Sequence, residues 1–67
     1  MGDQLDSRLR EERTRRNLTQ AQLAELVGVS RKTINTVENG IFVPSTVLSL
    51  KLAKALDTTV EALFQLR

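Results

Sequence analysis

The chain has 67 residues, a formal net charge of +2, and neither cysteine nor histidine. Its length predicts one domain, residues 1–67 with a core at about residues 5–64, and no apolar run approaches the roughly 20 residues of a membrane span. Without histidine and cysteine the usual bases, nucleophiles and transition-metal ligands are missing, so we expect no enzyme, no metal and no other cofactor, while the lack of disulfides fits a cytoplasmic protein.

The apolar spacing predicts five short helices and no strand. The predicted helices are Leu5 to Arg16, about Gln20 to Val27, about Arg31 to Asn39, from the N-cap Ser45 to about Leu56, and about Val60 to Phe64.

The loop before the fourth helix contains three apolar residues in a row, Ile41, Phe42 and Val43. We expect this loop to fold back on the core. Further along, Thr58 and Glu61 fit a capping box that would open the fifth helix.

The turn between the second and third helices is the most informative local feature. Thr19 and Gln22 fit a capping box at the start of the second helix. Gly28 follows the last apolar residue of that helix, where a left-handed backbone favours glycine. Ser30 is a good N-cap for the third helix. So short a turn brings the two helices together at close range, with Ala24 as the small contact residue, which predicts a helix-turn-helix.

The third helix has a polar arc of about 140° when it is drawn at roughly 100° per residue. Arginine, asparagine and threonine side chains bond to the base edges exposed in the DNA major groove. An ordinary solvated helix face is the alternative, but the short turn and the lack of acids in the arc favour DNA. The arc contains Arg31, Lys32, Asn35, Thr36 and Asn39, and the opposite side carries Ile34 and Val37.

From roughly Ser7 to Phe64, these features resemble the Cro/repressor-type (XRE-like) helix-turn-helix family of small bacterial and phage transcriptional regulators. The resemblance implies an all-α, five-helix, lambda-repressor-like domain whose third helix enters the major groove. It also implies Thr59 as the cap of the fifth helix. Glu12 departs from the family pattern, which often has an apolar residue there.

The resemblance assigns roles to residues on the second and third helices. Base reading falls on Arg31, Lys32 and Thr36, and Asn35 lies close enough to join them. Contacts to the DNA backbone fall on Thr19, Gln20 and Asn39.

Arg13 and Glu38 match an arginine and a glutamate that form an ion pair in several phage repressors of this family. Glu38 lies at the edge of the polar arc beside the core face, so its charge needs a partner. We expect a partly buried Arg13–Glu38 pair that supports the third helix. Two independent surface charges are the alternative.

The last eight residues contain four large apolar side chains, Val60, Leu63, Phe64 and Leu66. A domain this small cannot bury all of them, and related short regulators pair through this end, so we expect a homodimer interface there. The alternative is that Leu63 and Phe64 complete the core. A two-fold dimer would bind a palindromic operator with half-sites about 34 Å apart.

The expected function is therefore that of a sequence-specific DNA-binding transcriptional regulator, acting as a repressor on double-stranded DNA without a small-molecule ligand. The alternative is the antitoxin of a toxin–antitoxin pair, or another protein-interaction module that uses the same fold. A phage or restriction-system controller would share the DNA-binding mechanism.

Overall fold

Five helices and a two-stranded antiparallel sheet make up residues 4–67, the part of the chain described by this computed structural model. None of these helices is long and apolar enough to cross a membrane. The elements in chain order are β1 (Leu5–Ser7), α1 (Leu9–Arg15), α2 (Gln20–Val27), α3 (Arg31–Glu38), α4 (Thr46–Ala55), α5 (Val60–Leu63) and β2 (Phe64–Leu66).

The sheet is the main departure from the sequence prediction. Leu5 pairs with Leu66 and Ser7 pairs with Phe64, and the amide of Arg8 donates to the carbonyl of Leu63 at 2.8 Å. The prediction of a helix from Leu5 onward, in a chain without strands, was wrong. Each strand has only three residues and finds its partner at the other end of the chain, so no local pattern indicates the pairing.

The helix-turn-helix is built by the local signals that the sequence contains. Thr19 Oγ1 accepts from the amide of Gln22 at 3.0 Å, and Gln22 Oε1 accepts from the amide of Thr19 at 2.8 Å. Gly28 has a φ of 75°, in the left-handed region, and ends α2. Ser30 Oγ then accepts from the amide of Thr33 at 3.2 Å and opens α3. The predicted bounds of α2 are confirmed.

Helices α4 and α5 also begin at hydroxyl caps. Ser45 Oγ accepts from the amide of Leu48 at 3.1 Å, as predicted for α4. At α5 the two candidate caps are resolved in favour of Thr59, whose Oγ1 accepts from the amide of Ala62 at 3.1 Å. A side-chain acceptor at each start satisfies an amide that the helix itself leaves without a partner.

A single core lies between the helices. Ala24 is 3% exposed and provides the small contact surface on α2. Burial of apolar surface stabilises the fold by about 25 cal/mol per Å², so burial of the core side chains is the main force that holds α3 in place. The fully buried large side chains are Leu9, Leu23, Ile34, Val37, Leu52, Leu56 and Leu63.

The loop between α3 and α4 was predicted to fold back on the core, but it does not. Ile41, Phe42 and Val43 are 77%, 47% and 68% exposed. The amides of Ile41 and Phe42 donate to the carbonyl of Thr36 at 3.0 and 3.2 Å, so the backbone continues the last turn of α3 while the apolar side chains remain in solvent. Pro44 is the buried residue of this loop.

Candidate nucleic-acid interface

The polar face of α3 lies at the surface of the protein. Arg31 and Lys32 are exposed at the first turn, and Asn39 is exposed just after the last. Asn35 and Thr36 are half-buried between them. Ile34 and Val37 are buried on the opposite side, so the core fixes which face of α3 points outward.

Glu38 lies on the inner edge of this face and is bound by Arg13 of α1. Arg13 Nε lies 2.5 Å from Glu38 Oε2, and Arg13 Nη2 lies 3.2 Å from Glu38 Oε1. The side chain of Glu38 is inaccessible to solvent and that of Arg13 is 11% exposed. Arg13 Nη1 also donates to the carbonyl of Leu18 at 2.8 Å. One guanidinium thus joins α1, the loop after α1 and α3.

A second guanidinium, that of Arg10, also reaches Glu38. Arg10 Nε lies 3.4 Å from Glu38 Oε1, and Arg10 Nη2 donates to Asn39 Oδ1 at 3.1 Å. Arg10 was not among the site residues predicted from the sequence. Its spacing contained the signal, because Arg10 lies three residues before Arg13 and such residues share a helix face.

Gln20, at the start of α2, connects Glu38 to the polar face of α3. Its Nε2 donates to Glu38 Oε1 at 3.1 Å and to Asn35 Oδ1 at 3.4 Å, and its Oε1 accepts from Arg31 Nη1 at 3.3 Å. Asn39 Nδ2 donates to Asn35 Oδ1 at 2.9 Å. Residues predicted to read bases and residues predicted to contact the DNA backbone therefore belong to one hydrogen-bonded network. Such a network restricts their side-chain conformations before any ligand arrives.

The charge of Glu38 depends on two opposing effects. Burial raises the pKa of its carboxyl group, but hydrogen bonds from Arg13 and Gln20 and the charge of Arg13 outweigh burial, so the pKa lies below its ordinary value. Glu38 is therefore ionised at neutral pH. Its negative charge is directed inward and neutralised, which leaves the outer face of α3 without an exposed carboxylate.

The two threonines of the predicted site already make hydrogen bonds within the protein. Thr19 is exposed, and its hydroxyl is the acceptor that caps α2. Thr36 donates its hydroxyl to the carbonyl of Thr33 at 2.9 Å. Thr36 can therefore offer a methyl group and an acceptor oxygen to a base, and the amides at the start of α2 lie beside Thr19.

The four residues predicted for a dimer interface differ in exposure. Leu63 is fully buried and Phe64 is 8% exposed, so both belong to the core of the monomer and offer little surface to a second chain. Val60 is half-buried against the core, and Leu66 is 71% exposed. Of the four residues predicted for a dimer interface, Val60 and Leu66 therefore remain candidates.

Within residues 4–67, no three acidic side chains come together as a metal site would need.

This chain belongs to the helix-turn-helix family, whose model (HTH_3) matches residues 9–63. It is similar to the uncharacterized HTH-type transcriptional regulator YgzD of Bacillus subtilis (strain 168), with 39% identity over 62 residues that cover 92% of this chain and 94% of the relative. The family predicted from the sequence is confirmed.

Two solved structures have the same fold with the same TM-score of 0.76. One is the restriction-modification controller protein C.AhdI from Aeromonas hydrophila, with 46% identity over 81% of this chain and 82% of that chain. The other is the clp gene regulator ClgR from Corynebacterium glutamicum, with 30% identity over 81% of this chain and 57% of that chain. The predicted lambda-repressor-like fold class is confirmed, with the β1–β2 sheet as an addition.

Proposed function

We propose that this protein is a sequence-specific DNA-binding transcriptional regulator that inserts α3 into the major groove and acts as a repressor. The observation that carries the proposal is the outer face of α3, where two cations and the amide of Asn39 are exposed and the single acid of the helix is turned inward. A face of this composition attracts DNA and matches the hydrogen-bonding groups of base edges.

In this proposal the residues divide between two tasks. Arg31, Lys32, Asn35 and Thr36 contact base edges and determine the sequence that is bound. Thr19, Gln20 and Asn39 contact phosphates and determine how α3 is placed in the groove. Within the protein, the side-chain amide of Gln20 also contacts Asn35, Arg31 and Glu38.

The proposed regulator binds as a homodimer to a palindromic operator. One small helix-turn-helix reads few base pairs, and a second copy related by a two-fold axis doubles the readout. The exposed side chain of Leu66 and the half-buried side chain of Val60 supply apolar surface for this contact. A dimer bound across a promoter represses by excluding the polymerase. We also place the protein in the cytoplasm, where it has access to DNA.

Among the possible biological roles, that of a restriction-modification controller has support from one solved neighbour. C.AhdI carries that description and is 46% identical to this chain over the matched region. The role would require restriction and modification genes beside the gene of this protein. Their absence from the neighbourhood would leave the DNA-binding mechanism unchanged and remove this particular role.

Selection of bound duplexes from a random DNA pool tests the proposed function. We expect enrichment of one palindromic sequence whose half-site centres lie about 10 base pairs apart. A matched selection with the Arg31→Ala, Lys32→Ala double variant controls for binding that does not use α3, and it should enrich no common sequence. If the parent also enriches none, the proposal is wrong.

A further inference from the structure

We propose that Arg10 is a phosphate-binding residue of the DNA interface, an inference that rests on the proposed function and extends the interface from α2 and α3 to α1. Arg10 bridges Glu38 and Asn39, with donor–acceptor distances of 3.4 and 3.1 Å. Its side chain is 56% exposed, in contrast to the 11% of Arg13. The same carboxylate therefore holds one guanidinium inside the protein and one at the surface.

The charges of this cluster do not cancel. Arg10 and Arg13 carry two positive charges and Glu38 carries one negative charge, so one positive charge is left over. Arg13 uses Nε and Nη2 on Glu38 and Nη1 on the carbonyl of Leu18, so its charge is matched inside the protein. The surplus charge is consequently located on Arg10, where a mobile anion or a phosphate can reach it.

Arg10 also has donors to spare. A guanidinium has five N–H groups, and Arg10 directs its Nε and its Nη2 toward Glu38 and Asn39. Its Nη1 donates to no acceptor within residues 4–67. Two N–H groups on one nitrogen, carrying positive charge at a solvent-exposed position, suit an oxygen of a phosphodiester.

Asn39 fixes the direction in which Arg10 points. The Nδ2 group of Asn39 donates to the carbonyl of Asn35 and to Asn35 Oδ1, both at 2.9 Å. This orientation turns Asn39 Oδ1 toward Arg10, which therefore lies beside the polar face of α3. A phosphate beside the C-terminal end of α3 would meet a guanidinium that two acceptors have already positioned, which reduces the entropy lost on binding.

The test measures how the affinity of Arg10→Ala for DNA depends on salt. The probe is a mixed-sequence 30-base-pair duplex, because a phosphate contact carries no base information. Loss of one phosphate contact should make the slope of log K against log salt less negative by about 0.9 per protomer. It should also weaken binding by roughly ten-fold near 0.1 M salt.

Three variants separate a phosphate contact from a purely structural role. Arg10→Gln keeps amide donors for Glu38 and Asn39 but has no charge, so it should change the slope as Arg10→Ala does. Arg10→Lys keeps the charge and should retain most of the parental slope. Lys54→Ala removes an exposed cation on α4, beside α5 and the end of α2, and should leave the slope unchanged.

The outcomes distinguish this inference from the proposed function. If the parent binds the duplex with a negative slope and both Arg10→Ala and Arg10→Gln keep that slope, Arg10 only makes its contacts to Glu38 and Asn39 within the protein, and the inference is overturned. If the parent binds no DNA at any salt concentration, the proposed function fails as well. Thermal unfolding of each variant establishes that it is folded at the temperature of the titration.

Discussion

At the scale of single residues, Glu38 has the most contacts with other charged and polar groups. Its carboxylate is closed off from solvent and has Arg13, Arg10 and Gln20 as donors. An ionised group in such a position is tolerated only when partners replace the water that it loses. The same contacts connect α1 and α2 to α3, so the stability of the protein and the placement of its proposed DNA-binding face depend on one side chain.

Glu38→Gln should therefore destabilise the protein strongly. The substitution removes the negative charge and leaves the mostly buried guanidinium of Arg13 without its counterion, which costs about 3 kcal/mol or more. For a domain of this size, about 3 kcal/mol corresponds to a decrease in Tm of roughly 12–24 °C. Glu25→Gln, at an exposed position on α2, is the matched control and should change Tm little. An unchanged Tm for Glu38→Gln would contradict the structural role of the pair.

The stabilising effect of Glu38 should also disappear in acid. The pKa of Glu38 in the folded protein lies below its ordinary value of 4.5, so the unfolded chain takes up the proton first as the pH falls. The difference in unfolding free energy between the parent and Glu38→Gln should have its full value above pH 4.5. Below pH 4.5 this difference should shrink as the pH passes through the pKa of Glu38 in the folded protein. Urea denaturation between pH 3 and pH 7 measures this difference. A difference that grows on acidification would contradict the sign of the pKa shift.

Arg31 and Gln20 should differ in what their loss does to DNA recognition. Arg31→Ala should lose discrimination at one base pair, by about 1–3 kcal/mol, and keep most of its non-specific binding. Gln20→Ala should weaken binding to all sequences to a similar degree, because a phosphate contact does not read bases. Affinities for a panel of single-base operator variants separate these patterns. Equal losses across the panel for Arg31→Ala would exclude base reading by that residue.

At the scale of the elements, the sequence predicted what local chemistry determines. The bounds of α2, the cap at Ser45 and the left-handed position at Gly28 each follow from a few neighbouring residues, and each is present in the structure. The β1–β2 sheet was not predicted, and the loop that contains Phe42 was predicted to fold back on the core but is exposed. The sheet depends on a contact between the two ends of the chain, and the loop depends on hydrogen bonds back to α3, neither of which leaves a periodic pattern.

The backbone at Gly28 can be tested separately from its packing. A Cβ atom added at Gly28 would meet no atom within 4 Å, so the cost of Gly28→Ala comes only from its φ of 75°. The expected loss is about 1–2 kcal/mol. Gly28→Asn is the matched control and should lose less, because asparagine tolerates this conformation and Asn17 adopts it here with a φ of 58°. Thermal unfolding measures both variants, and a fully stable Gly28→Ala would contradict the left-handed turn.

At the scale of the whole molecule, the family and the fold predicted from the sequence are confirmed, but the sequence did not predict how the residues of the proposed site are connected to one another. The residue types on α3 and their spacing were sufficient to select a face. The hydrogen bonds that Gln20 makes to α3, and the second guanidinium at Glu38, depend on how α1 and α2 pack against α3. Burial likewise decided that Leu63 belongs to the core, because composition cannot show which of several clustered apolar residues faces inward.

The proposed dimer should depend on Leu66. Leu66→Asp places a charge in the proposed apolar contact, so it should shift the protein toward the monomer in sedimentation and weaken operator binding in parallel. Leu26→Asp, on α2, is the matched control, because Leu26 is 61% exposed and Leu66 is 71% exposed. The control should leave the oligomeric state unchanged. A parent that sediments as a monomer at micromolar concentration and protects a single half-site would refute the dimer.

The proposed DNA-binding function is tested most directly by comparing two affinities of the parent protein. One is for a duplex selected from a random pool, and the other is for a mixed-sequence duplex of the same length. Fluorescence anisotropy at several salt concentrations gives both. We expect the selected duplex to bind about a thousand-fold more tightly or better at physiological salt. Both affinities should fall as salt is added, with a shallow slope because the net charge is only +2. Equal affinities for the two duplexes, or an affinity independent of salt, would contradict sequence-specific DNA binding.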